Sequence, residues 1–206
     1  MNIIEPINQQ KLFGLDNHFL ELVRLYKNNT YPNKLLLSGP KGIGKSTLAY
    51  HFINYILSKN EDQKYDLNNF EINSNSSTFK TILNGSNSNL IIIDINSDKK
   101  LIDINQIRDL IRNLNKSSFN NKARFVLIDN IEFLNENSSN SLLKALEEPN
   151  FNIYFILIQN NNNVLQTITS RCLQYKLYLS NQKFVSIKSI SFLLAKSIKF
   201  NISPVV

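Results

Sequence analysis

The stretch "KLLLSGPKGIGKSTLAYHFINYILS", residues 34–58, decides the fold. It opens on a short apolar run, "KLLLSG" (34–39), of the kind that forms a buried strand, and closes on "STLAYHFINYILS" (46–58), which reads as a helix. Between them "GPKGIGKS" (39–46) fits G-x-x-x-x-G-K-[ST], a pattern with physical meaning only between a strand and a helix. Gly39, Gly42 and Gly44 let the backbone curl until consecutive N–H groups face one phosphate, and the helix start adds the positive end of its dipole. The loop Gly39, Pro40, Lys41, Gly42, Ile43, Gly44, Lys45, Ser46 and Thr47 is therefore expected to cradle the phosphates of a nucleotide. Lys45 reaches the β- and γ-phosphates in such a loop, and the Ser46 hydroxyl is placed to hold Mg²⁺. Three of the chain's five glycines lie here.

Outward from this loop, strand-like and helix-like segments alternate, which predicts an α/β fold with a parallel sheet. "HFLELVRLYKN" (18–28) has helical spacing, and "LIIIDI" (90–95) is a second buried strand. "DINQIRDLIRNLNKS" (103–117) is an amphipathic helix with Ile104, Ile107, Ile111 and Leu114 on one face. "FVLID" (125–129) and "IYFILIQ" (153–159) are further strands, separated by a helix, "NSSNSLLKALEEP" (137–149), that Pro149 stops. "CLQYKLYL" (172–179) follows the fourth strand. The Asn- and Ser-rich residues 59–89 have weak periodicity and read as loop with short elements. A P-loop NTPase sandwich of three layers around a mostly parallel sheet is expected over residues 1–180.

A carboxylate, Asp129, ends the third strand, where a Mg²⁺-holding residue is needed. The next residue is Asn130. A glutamate there would accept the proton of the attacking water, whereas a neutral amide orients water without taking its proton. Glu132 lies two residues on and, in an extended segment, would point to the same side as Asn130. Arg108, Arg112 and Lys116 recur every four residues beside the apolar face of their helix, a basic stripe open to DNA phosphates or simply to solvent.

The 206 residues are 42% apolar, enough for a sizeable core, and carry a net charge of +7 with a pI near 9.4. That balance favours anionic partners, although lysine bias on a solvated surface explains it equally well. Cys172 stands alone and His18 and His51 are the only histidines, so no Cys/His zinc cluster is expected. The N-terminus has neither the basic start nor the apolar core of a signal peptide, and no apolar run is long enough to span a bilayer. A cytoplasmic protein with no membrane contact is expected.

Two further stretches, "NSLLKALEEPN" (140–150) and "TITSRCLQY" (167–175), resemble the AAA+ clamp-loader family of bacterial DNA polymerase III, whose members typically carry "NALLKTLEEPP" and "TI-x-SRC". With "LFGLDNHFLELV" (12–23), "LLLSGPKGIGKSTLA" (35–49) and "INQIRDLIRNL" (104–114), five motifs stand in the family's order and cover residues 11 to 180. The resemblance implies ATP with Mg²⁺ as ligand. It also implies a ring of loader subunits as partners and, through the ring, the sliding clamp and primed DNA. It makes Arg171 an arginine finger that serves a neighbouring subunit's site, where a guanidinium stabilises transition-state charge. Gln159 falls where the family has a polar sensor of the γ-phosphate, with Asn160 and Asn161 its nearest competitors.

Two departures accompany the resemblance. The four-cysteine zinc module of many relatives is replaced by the polar 59–89 region, so no zinc is implied. Residues 181–206 hold one helical pattern, "VSIKSISFLLAKSI", and are expected to form only the start of a helical lid. The reading that results is a nucleotide-binding subunit with weak or no hydrolysis of its own. The competing class is an autonomous AAA+ ATPase of replication or repair, which a glutamate at position 130 would have favoured. A small-molecule kinase would need an arginine-bearing lid over a second substrate, and no segment supplies one.

Overall fold

In β1 (Lys34–Ser38) three consecutive leucines, Leu35, Leu36 and Leu37, are fully buried. Successive side chains of a strand point to opposite faces, so Leu35 and Leu37 enter one core and Leu36 the other. A strand buried on both faces needs helices above and below it, which is the condition of a parallel sheet. The computed structural model describes residues 5–96, 99–115, 122–147, 152–161 and 164–178 and has that arrangement.

Besides β1 the sheet contains β2 (Leu90–Ile93), β3 (Arg124–Ile128), β4 (Ile153–Ile158) and β5 (Leu173–Lys176). Their order is β2-β3-β4-β1-β5, and every pairing is parallel. On one face lie α1 (Asp16–Lys27), α2 (Lys45–Leu57) and α3 (Ser77–Leu83), whose Phe19, Phe52 and Phe79 join Leu35, Phe125 and Ile156. The other face carries α4 (Ile104–Leu114), α5 (Glu136–Glu147) and the short α6 (Gln166–Thr169), with Leu110, Leu142 and Ile168 packed against Leu36, Val126 and Phe155. The three-layer sandwich is present, and its sheet is wholly parallel over the described strands.

One local expectation shifts and another gains detail. The buried stripe of α4 runs through Ile107, Leu110 and Leu114, with Ile111 only half-buried at its edge. This helix starts on a capping box: Asp103 Oδ1 accepts Asn105 N (3.0 Å) and Gln106 Oε1 accepts Asp103 N (2.9 Å). Residues 59–89, read as loop with short elements, contain α3 and are tied down by polar groups. Glu61 accepts from the hydroxyls of Ser76 (2.7 Å) and Thr78 (2.5 Å) and from Thr78 N (2.9 Å).

His51 on α2 meets Tyr65 Oη at 2.9 Å and Gln9 O at 3.0 Å, and burial pushes its pKa down to about 4. The expected lid, residues 181–206, lies outside the described residues. Among the described residues no helix is long and apolar enough to cross a membrane.

Candidate functional site

The loop that leaves β1 at its C-terminal end turns on glycines held at positive φ. Gly39 has φ +142°, and a Cβ there would lie 2.7 Å from the Leu177 carbonyl oxygen, so no side chain fits. Gly44, at φ +99°, is the residue before α2 and offers no capping side chain. The first N–H groups of α2 therefore stay available to an anion, with the helix dipole behind them.

Lys45, only 3% exposed, donates from Nζ to the carbonyls of Gly39 and Pro40, both at 2.9 Å, and so braces the loop. Burial lowers its pKa, while the Asp129 and Glu132 carboxylates oppose that shift. Ser46, one residue into α2, donates its hydroxyl to Asp129 Oδ2 at 2.5 Å. Asp129, at the end of β3, also accepts Asn130 N at 2.7 Å. Burial raises its pKa against these two hydrogen bonds, and the Asp94 and Glu132 charges add to the rise. Ser46 and Asp129 thus bring together two hard oxygen donors of the kind Mg²⁺ prefers, beside the loop that would hold phosphates.

Beyond Asp129 the chain is not extended. Asn130 sits in the left-handed region at φ +53°, and Ile131–Phe133 form a 3₁₀ turn. Asn130 and Glu132 are therefore not related by strand alternation. The Asn130 amide is engaged at both ends: Nδ2 donates to Asp94 Oδ1 (2.8 Å), and Oδ1 accepts Asn160 Nδ2 (2.8 Å). Glu132 Oε2 accepts Asn160 N at 3.2 Å. One polar bridge thus runs across the C-terminal ends of β2, β3 and β4. Of the three sensor candidates, Asn160 is in this bridge, whereas Gln159 turns its Nε2 to Asn161 O (2.6 Å).

Arg171 stands elsewhere. It precedes β5, whose Leu173 pairs with Leu35 near the start of β1, while Lys176 pairs with Ser38 next to the P-loop. At about 3.3 Å per residue, Leu173 lies roughly 10 Å below the loop, and Arg171 lies beyond it. Its guanidinium pairs with Glu147 Oε1 (2.9 Å) at the end of α5 and donates to Thr167 O (3.0 Å). The same end of α5 is fixed to the start of β1 by Lys34 Nζ donating to Leu146 O (3.0 Å).

The structure thus gathers Gly39 to Thr47, Asp129 and Asn130 at one end of the sheet and leaves Arg171 at the other. On α4 Arg108 is exposed and Arg112 pairs with Asp109, while Lys116 lies outside the described residues. Sequence reasoning passed over Asp94, although the run "LIII" (90–93) is followed by a carboxylate just as "FVLI" (125–128) is, and adjacent parallel strands bring such ends together.

A profile of the family described as "DNA polymerase III, delta subunit" matches residues 15–181. The chain belongs to this family. The delta' subunit of Pseudomonas aeruginosa is 29% identical over 140 residues, covering 68% of this chain and 41% of that protein. The gamma/tau subunit of Mycoplasma genitalium is 29% identical over 168 residues, covering 81% of this chain and 27% of that protein. The chain therefore spans well under half the length of these curated relatives. Among solved structures, a gamma subunit-related protein from Thermotoga maritima superposes with a TM-score of 0.55 at 19% identity, covering 78% of this chain and 47% of that one. This likeness is one of fold, the α/β P-loop sandwich described above.

Proposed function

We propose that this chain is a delta-prime-like, ATP-binding subunit of the DNA polymerase III clamp loader. In this reading it helps load the sliding clamp onto primed DNA by presenting Arg171 to a neighbouring ATPase subunit. The observation that carries the reading is the separation of Arg171 from the chain's own P-loop. An arginine at the far end of the sheet has no access to its own γ-phosphate, yet it is tethered near the surface by Glu147 and Thr167.

Its own site is built to hold ATP–Mg²⁺ and not to turn it over. Lys45 and the α2 N-terminus take the phosphates, and Ser46 and Asp129 are the residues that would hold Mg²⁺. Bound there, the ion would offset charge on the phosphate oxygens. The base position carries an amide, already bonded to Asp94 and Asn160, and an amide does not accept the proton of water. Glu132, the residue that would support autonomous hydrolysis, is drawn toward β4 by accepting Asn160 N (3.2 Å). As a subunit of a replication assembly the protein works in the cytoplasm.

Equilibrium binding of a fluorescent ATP analogue with Mg²⁺ tests the site. Wild type is expected to bind with little turnover, and Lys45→Ala to lose at least tenfold in affinity. Unchanged affinity in the variant, or brisk wild-type turnover, contradicts the assignment.

A further inference from the structure

A second basic feature lies on the α1/α2 face, at the end of α2 remote from the P-loop. A groove of about 580 Å³ is lined there by Lys27, Lys59 and Lys64 together with Tyr55, Tyr65 and Asp66. The three lysines come from three segments: the last turn of α1, the chain just after α2, and the following loop. All three are exposed, and among the described residues none forms an ion pair.

Of the acids nearby, Asp62 is exposed between Lys59 and Lys64 in sequence, and three others are engaged. Asp66, the only carboxylate in the lining, accepts Asn68 N (2.8 Å), Asn69 N (3.1 Å) and Asn69 Nδ2 (2.8 Å) of its own turn. Those bonds hold its pKa below the usual carboxylate value. Glu61 is taken by Ser76 and Thr78, and Glu71 by Lys11.

The floor of the groove is fixed. Tyr65 is buried, its hydroxyl meets His51 Nδ1 (2.9 Å), its N–H donates to Ser58 Oγ (3.1 Å), and its ring stacks on Phe19 at 5.1 Å. Tyr55 stands edge-on to Tyr65 at 6.0 Å and is only half-buried. Three exposed ammonium groups against one ionised carboxylate, around a pre-formed recess with the half-buried Tyr55 ring in its wall, match how proteins take single-stranded nucleic acid. Lysines follow the phosphates there, and a ring offers the bases a stacking surface. A recess of this size takes a splayed nucleotide, where a duplex would need a long open strip.

We propose that this groove binds single-stranded nucleic acid through its phosphates, independently of the P-loop. The α2 helix between the two sites is 13 residues, or about 20 Å, long. None of the three lysines belongs to the nucleotide site, so altering them leaves nucleotide binding intact.

The test is fluorescence anisotropy of a labelled oligo-dT on the full chain across 50–200 mM salt, with the triple variant Lys27→Ala/Lys59→Ala/Lys64→Ala alongside. Neutralising three phosphates of a single strand contributes a salt slope of about 2, equivalent to roughly a 20-fold change over that range. The variant is expected to lose at least tenfold in affinity at 50 mM and to flatten the slope by about 2, with ATP-analogue binding unchanged. An unchanged slope overturns the proposal, as does absence of wild-type binding. So does a loss that follows Arg108→Ala/Arg112→Ala on the opposite face. Polyglutamate competing as well as oligo-dT would also overturn it, in favour of an acidic-peptide site.

Discussion

At the scale of single residues, Asn130 explains most about the site's chemistry. Its φ of +53° is a conformation that Asn tolerates better than most side chains. Its amide joins Asp94 to Asn160 at 2.8 Å on each side. Installing the missing base by Asn130→Glu would strain the backbone and replace the donor facing Asp94 with a second carboxylate. Two carboxylates at that distance repel and keep one of them protonated. The substitution is therefore expected to lower stability by about 1–3 kcal/mol and to leave turnover no higher than wild type. Steady-state ATPase and a thermal melt of the variant check this, and a clear gain in turnover would show that the bridge does not govern the site.

Among the secondary-structure elements, the link between α2 and the polar segment that follows it should respond to pH. His51 is buried, with a folded-state pKa of about 4 against a model-peptide value of 6.5. Below pH 6.5 the unfolded chain binds a proton that the folded chain refuses, so stability falls as pH drops from about 6.5 toward 4. A shift of that size corresponds to about 3 kcal/mol at full extent. Denaturant melts from pH 7 to pH 4 are expected to show this loss, and His51→Gln is expected to flatten that part of the profile. An equally steep profile in the variant would assign the acid sensitivity to other groups.

The same elements show what was legible in the sequence. β1, β3 and β4 were readable because burial on both faces leaves unbroken apolar runs, "LLL", "FVLI" and "IYFILI". The P-loop was readable because its chemistry requires fixed residue types at fixed spacing. Residues 59–89 were legible only as loop with short elements, since α3 and its buried Phe79 and Ile82 are too brief to mark a period and polar bonds of Glu61, His51 and Ser58 hold the rest. Glu132 was misplaced because a left-handed Asn130 and a 3₁₀ turn break the alternation assumed for it. Asp94 and Asn160 come to Asn130 only through strand order, which one strand's sequence does not reveal.

At the scale of the whole molecule, the sheet separates two chemistries. Its C-terminal edge carries the phosphate loop, Ser46, Asp129 and the amide bridge, and its N-terminal edge carries Arg171 with Glu147. That polarity suits a subunit that binds nucleotide on one side and serves a neighbour's nucleotide on the other. The direct measurement is steady-state ATPase of the reconstituted clamp loader, with primed DNA and clamp present, comparing wild type with Arg171→Ala. Removal of an arginine finger costs on the order of 10³–10⁵ at the site it serves. The ring's overall rate is expected to fall by less, because in the proposed arrangement Arg171 serves a single site, while the variant's own ATP binding and assembly by gel filtration stay unchanged. Equal DNA- and clamp-stimulated rates in two fully assembled complexes would contradict the account and leave Arg171 as the ion-pair partner of Glu147 alone.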